Sequence, residues 1–249
     1  MTLNDTAKSY SGAVDRYEAG RPGYPAALID ALPLAEARLI VDLGAGTGTF
    51  TRLMLSHIAD DVRIVAVEPV VEMSAKLLTV PGVEVVNRPA ADTGLPDGAA
   101  DLVACAQAFH WFDDEASVTE IARILRPGGA LALIWNMRDD RVAWVDALSK
   151  LIDGYAGDTP RHQTGRWQWV LGDRRFRFER ALSQEYPHAL PREGLFDLVL
   201  SISYIARLPE TKKLKLRAKI DDILRENGLG GGAGITLPYV SRLYLLTRR

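Results

Sequence analysis

Apolar residues along the first 136 positions of this 249-residue chain fall into short runs separated by helical stripes. Arg38 to Leu43 (RLIVDL) reads as a buried strand, and Phe50, Leu53, Met54, Leu55 and Ile58 follow at helical spacing. Four more runs read as strands: RIVAVE from Arg63, VEVVN from Val83, ADLVACAQ from Ala100 and ALALIWN from Ala130. Helical stripes lie between them, one through Val71, Met73, Leu77 and Leu78, another over Ser117 to Leu125 that Pro127-Gly128-Gly129 brings to a stop. Strands alternating with helices predict an α/β fold, with a mostly parallel sheet, right-handed crossovers and helices on both faces.

Beyond Asn136 the pattern changes. Trp144 to Tyr155 is helical, as are Gly194 to Ile205 and the lysine-rich Lys212 to Asn227. Pro238 to Arg249 reads as a terminal strand, antiparallel near Tyr239 to Thr247, and the glycines before it suggest a hairpin added at a sheet edge. Seven strands in three layers are expected in all. Between them Trp167, Trp169, Phe176 and Phe178 alternate with polar residues, as in half-buried strands. At the other end a weak helical pattern over Ser11 to Tyr17 is broken by RPGYP, and Pro25 can open a new helix. The expected organisation is an N-terminal lid with helices over 1–36 and one domain over 37–249, with a variable cap at about 155–232.

Composition narrows the partners. A net charge of −2 and a pI near 6.1 give no global field toward nucleic acid or membrane. The single cysteine, Cys105, makes no internal disulfide or thiolate metal cluster, so a reducing cytoplasm and no bound metal are expected. The N-terminal stretch lacks an apolar signal core, and no apolar run approaches the ~20 residues of a membrane span.

The chemistry is concentrated in LIVDLGAGTGT, where Gly44, Gly46 and Gly48 follow Asp42, and in Glu68 at the tip of the next strand. Glycines let backbone N–H groups approach a ligand, and a carboxylate at the carboxyl edge of a parallel sheet can accept from both hydroxyls of a ribose. Dinucleotides and S-adenosylmethionine both use such a layout. The dinucleotide pattern G-x-G-x-x-G fails at Thr49, and Asp42 can face an ammonium that a pyrophosphate ligand lacks.

DLGAGTG at 42–48, VEP at 67–69, LPDGAADLV at 95–103, QAFHWF at 107–112 and ILRPGG at 124–129 occur in this order. On these motifs the chain, from about Tyr10 to Asn136, resembles the class I S-adenosylmethionine-dependent methyltransferases. The likeness is to small-molecule enzymes of the type 11-like group related to the trans-aconitate methyltransferases. The resemblance implies a Rossmann-like fold and S-adenosylmethionine as cofactor. It places Asp42, Gly44 and Gly46 along the methionine part, with Gln107 beside it, and Glu68 at the ribose, and counts Ala45, Gly48 and Pro69 among the cofactor-binding residues. It also packs Met73 on the adenine, sets Asp92 at the adenine amino group, and lets Arg21 pair with the methionine carboxylate. Tyr17, Phe109, His110 and Trp111 are candidates for the acceptor side.

His110 reads either as a general base or as a hydrogen-bonded wall of the pocket. Residues 161–180 hold six arginines against Asp173 and Glu179, which reads as an exposed strand face, an arginine-lined pocket for an anionic acceptor, or a nucleic-acid contact. The expected function is methyl transfer to a small molecule, with no nucleic acid or membrane partner. A non-catalytic S-adenosylmethionine-binding protein and an NAD-dependent oxidoreductase are the alternatives.

Overall fold

The computed structural model describes residues 20–231 and 234–249. In chain order the helices are α1 (Ala26–Ile29), α2 (Thr49–Leu55), α3 (Val71–Leu77), α4 (Glu115–Ile124), α5 (Ala143–Asp153), α6 (Arg192–Leu200), α7 (Ser203–Ala206) and α8 (Glu210–Glu226). The strands are β1 (Leu39–Leu43), β2 (Arg63–Val67), β3 (Val83–Val86), β4 (Ala100–Ala106), β5 (Leu125–Arg138), β6 (Phe176–Pro191) and β7 (Gly234–Arg248). They form one seven-stranded sheet in the order β3-β2-β1-β4-β5-β7-β6. The first five strands are parallel, and β7 runs against its neighbours β5 and β6. The sheet is therefore mostly parallel, as the alternation of runs and stripes predicts.

Two details differ from the expectation. The terminal strand does not sit at the edge: β7 is inserted between β5 and β6, and β6 closes the sheet. The chain from β6 to β7 passes through α6, α7 and α8 rather than a tight turn. The other detail is the aromatic segment. Trp167 and Trp169 lie in a 3₁₀-helix over Arg166–Gly172, where Trp167 and Val170, three positions apart, are both buried while Trp169 is 38% exposed. A three-residue turn explains that spacing, and it shares the W-Q-W pattern with a strand.

Both sheet faces are apolar. One packs Val41, Leu43, Val65 and Val67 against Val118 and Ile121 of α4. The opposite face packs Ile40, Ile64 and Leu102 against Leu28 of α1 and Phe50 and Met54 of α2. A third cluster belongs to the cap: Val145, Leu148 and Ile152 of α5, Leu195 and Val199 of α6, and Leu216, Ile220 and Leu224 of α8, seated on Ile235 and Leu237 of β7. Among the described residues no helix is long and apolar enough to cross a membrane.

Candidate active site

Strand order reverses between β1 and β4, and the carboxyl ends of these strands open a crevice there. A cavity of about 310 Å³ occupies it. Its floor comes from the turns after β1 and β2. The Val67 carbonyl accepts from Gly44 N at 2.8 Å and Ala45 N at 3.2 Å, so the glycine turn folds over the tip of β2. Glu68 completes the clasp: Oε2 accepts from Gly46 N and Oε1 from Val70 N, both at 2.8 Å. Burial pushes the Glu68 carboxyl up, and these two backbone donors oppose the shift. Each carboxylate oxygen keeps a further lone pair for a ligand.

Asp42 lies beneath the turn, 1% exposed. Thr51 Oγ1 donates to its Oδ2 at 2.6 Å, while Oδ1 is buried without a partner. Burial is the main cause that raises its pKa to about 7; the Thr51 hydrogen bond opposes it and the nearby Glu68 charge adds to it. An ammonium at Oδ1 would return the group to its charged form. The residues thus fit a ligand carrying positive charge and vicinal hydroxyls. They do not fit a pyrophosphate, because the amides of Gly44, Ala45 and Gly46 are already taken and two carboxylates face the space.

The three glycines have different duties. All have positive φ: 76° at Gly44, 59° at Gly46 and 88° at Gly48. A Cβ at Gly44 would lie 2.6 Å from the Ala108 Cβ, so this residue lets the turn meet the end of β4. A Cβ on Gly46 would meet nothing within 4 Å. Gly48 is absent from the cavity wall; a Cβ there would strike Leu77 of α3 at 2.4 Å. Its place in the motif is helix packing rather than ligand contact.

Of the other candidates, Arg21, Ala45, Pro69, Met73, Gln107, His110 and Trp111 join Asp42, Gly44, Gly46 and Glu68 along the cavity. Gln107 has φ 58°, an unusual backbone for a non-glycine residue, held by its amide on Ile134 O at 2.8 Å and its side-chain nitrogen on Asn136 O at 3.0 Å. Asp92 is not in the wall: it is exposed and paired with Arg88 at 3.3 Å, and the neighbouring Arg88 to Ala91 line the cavity instead. Thr93 is pinned by the buried Glu120, whose Oε1 accepts from Thr93 N at 2.7 Å, which turns the preceding residue outward. Phe109 also stays out, 0% exposed in the core behind the wall. Tyr10 and Tyr17 lie outside the described residues.

The roof is basic. Arg138 at the end of β5 and Arg161 after α5 flank Asp153, at 3.8 Å and 3.4 Å. Arg161 Nε and Nη1 and Asp153 Oδ1 are buried without hydrogen-bond partners. Burial raises the Tyr204 phenol, with Asp153 adding to the shift and both arginines opposing it, so the four groups share one space. Of the six arginines in 161–180 only Arg161 lines the cavity. Arg166 pairs with Asp113, Arg175 with Asp173 and Glu115, and Arg177 with Glu179, while Arg180 donates to Ala31 O. Arg138, Asp153, Tyr204 and Trp135 had no sequence signal, each sitting in an ordinary helical or strand pattern, and His162, which completes the aromatic wall with Trp135, opens a short 3₁₀ turn after a loop.

Residues 41–133 match the family model described as a methyltransferase domain. A methyltransferase of Mycobacterium tuberculosis, itself uncharacterized, is 37% identical over 239 residues, covering 95% of this chain and 94% of the relative. A trans-aconitate 2-methyltransferase of Azoarcus is 35% identical over 111 residues, 43% of this chain and 42% of its own. A solved structure from Anaeromyxobacter dehalogenans, assigned as a type II methyltransferase, superposes with a TM-score of 0.70 at 26% identity, covering 92% of this chain and 97% of that one. With the crevice at the β1–β4 reversal and two carboxylates on its floor, these similarities make the chain a member of the methyltransferase family.

Proposed function

We propose that this protein transfers a methyl group from S-adenosylmethionine to a small anionic molecule, a carboxylate being the simplest case. The observation that carries the reading is the polarity of the cavity. Its floor bears the carboxylates of Asp42 and Glu68, and its roof bears Arg138 and Arg161 around a single Asp153. A cationic donor below and an anionic acceptor above match that arrangement.

When bound, S-adenosylmethionine supplies an electrophilic methyl on a positively charged sulfur. The chain's own residues contribute placement. Asp42 Oδ1 accepts from the ammonium of the methionine part, and Glu68 accepts from the ribose while keeping Gly46 and Val70 in place. Arg161 and Arg138 hold the acceptor's charge at the roof, so orientation and proximity are the main work of the site. A carboxylate acceptor needs no proton removed.

Calorimetry with S-adenosylmethionine and S-adenosylhomocysteine tests the reading, in wild type and Glu68→Ala. Wild type should bind both, and the variant should bind at least 100-fold more weakly, because it loses a ribose contact and the clasp of the turn together. If wild type binds neither at millimolar concentration, the proposal fails. A panel of mono-, di- and tricarboxylates, starting with trans-aconitate, should release S-adenosylhomocysteine. Cofactor binding without turnover on that panel would favour a non-catalytic binding protein.

A further inference from the structure

We infer that His110 is a fixed hydrogen-bond donor to the methyl acceptor, not a base, because Trp135 dictates which ring nitrogen carries the proton. The inference rests on the methyl-transfer reading and deepens it. Trp135 Nε1 donates to His110 Nδ1 at 3.2 Å. An indole nitrogen only donates, so the imidazole nitrogen facing it must present a lone pair. The single hydrogen of the neutral ring is then on Nε2. With Nδ1 turned to Trp135, Nε2 is the nitrogen left for the cavity that His110 lines.

Trp135 is not free to turn. It is 1% exposed on β5, with ring centroids of Trp167 at 4.5 Å, His162 at 4.7 Å and Tyr244 at 6.1 Å. Charging His110 would put a second proton on Nδ1, directly against the indole N–H. The ionisable groups facing the ring, His162 from the segment after α5 and Arg21 from the stretch before α1, disfavour the charge as well. Burial acts most strongly, and together they lower the His110 pKa to about 3. The ring therefore stays neutral, with a constant N–H directed at the acceptor, across the physiological range.

A donor of this kind selects its partner's chemistry. It holds an oxygen that already offers a lone pair at neutral pH, such as a carboxylate oxygen. It does not serve a hydroxyl or an ammonium that must first lose a proton, since Nδ1 is occupied and Nε2 is protonated. Sequence reasoning left His110 open between base and wall; the indole contact assigns it a third role.

Nitrogen NMR on ¹⁵N-histidine-labelled full chain, with and without S-adenosylhomocysteine, reads the tautomer directly. His110 should show a protonated Nε2 and a bare Nδ1 from pH 5 to 8, and Trp135→Phe should free the ring to mix tautomers. A wild-type ring that gains charge in that range, or carries its proton on Nδ1, overturns the inference. The heat of S-adenosylhomocysteine binding, measured on the same sample, separates the two claims. Lack of binding sinks the methyl-transfer reading but leaves the tautomer readable. Turnover with whichever carboxylate the panel yields adds a second arm. His110→Gln keeps an N–H donor and should retain kcat/KM within about 10-fold, whereas His110→Leu should lose about 10- to 100-fold, the range for hydrogen bonds to charged groups. Equal losses in both variants, with an acidic limb near pH 6.5 in wild type, would restore the base.

Discussion

The floor and the roof of the cavity are both charged, yet they are anchored in different ways. Asp42 on β1 and Glu68 just past the end of the adjacent β2 are held by Thr51, Gly46 and Val70, all within a stretch of fewer than thirty residues. Arg138 comes from β5, Asp153 from α5, Tyr204 from α7 and Arg161 from the loop after α5, and the two arginines meet Asp153 at 3.8 Å and 3.4 Å without closing ordinary hydrogen bonds. In the floor Asp42 Oδ1 and Thr47 Oγ1 are buried without partners, and in the roof Arg161 Nε and Nη1 and Asp153 Oδ1 are. A pre-formed floor with a loosely tied roof teaches how one cavity can fix a common donor and still vary its acceptor.

The two regions should separate under mutation. The largest effect is expected from Leu216→Ala, which empties a fully buried site of the cap core; unfolding by denaturant should show a loss of about 2–5 kcal/mol. S-adenosylhomocysteine affinity should stay within threefold, and a parallel loss of affinity would mean that floor and cap fold as one unit. Gly44→Ala works the other way. The left-handed φ and the 2.6 Å approach to Ala108 should together cost roughly 2–4 kcal/mol and abolish cofactor binding as well.

Asp42 gives a pH signature confined to the floor. Its folded pKa of about 7 lies above the ordinary 3.8, so the folded chain keeps a proton that the unfolded chain releases. Stability from this group is full below about pH 4 and is lost as pH rises through 7, by at most roughly 4 kcal/mol. Thermal unfolding without ligand should show that decline, and Asp42→Asn should flatten it. Binding of a cationic cofactor favours the charged form, so affinity should weaken below pH 7, by up to tenfold per pH unit. Smallest of all, Arg177→Ala removes an exposed pair with Glu179 and should change stability by less than about 1 kcal/mol. A larger change there would show that the arginine-rich face has a structural or binding role beyond its ion pairs.

Legibility in the sequence follows the same divide. Each strand of the parallel half carries a mainly apolar run and α2, α3 and α4 show their own stripes, so β1 to β5 could be read from local pattern, although β5 begins at Leu125 and takes in Arg126 to Gly129, which read as a helix stop. The turn was legible too, because Gly44 and Gly46 need backbone freedom that few residues have. Gly48 has the same signature for a different reason: Leu77, 29 positions later, decides it, and no local pattern reveals that contact. Asp92 and Phe109 were misplaced as well. For Asp92, one residue of register decides between wall and exterior, and Glu120 holds the next residue, Thr93, from 27 positions away; Phe109 turns instead into the core. In the cap the difficulty is greater. Arg138 follows Met137 in an unremarkable strand end, and its meeting with Arg161 and Asp153 exists only once α5 has packed on β7. Counting arginines in 161–180 could not show that Arg161, of the six, is the one that lines the cavity.

Asn136 bears on how such a protein can change. Its side-chain nitrogen donates to Gly23 O at 2.8 Å, its side-chain oxygen accepts from Ser241, and its carbonyl accepts from Gln107. One residue on β5, through its side-chain amide and its main-chain carbonyl, therefore joins the segment before α1, the last strand and the end of β4. Helices of the cap could be exchanged between relatives to obtain a new acceptor range, but only grafts that leave this junction intact would keep the entrance aligned. Recombination points for such chimaeras belong after Arg138 and before Leu237, outside the residues that Asn136 ties together.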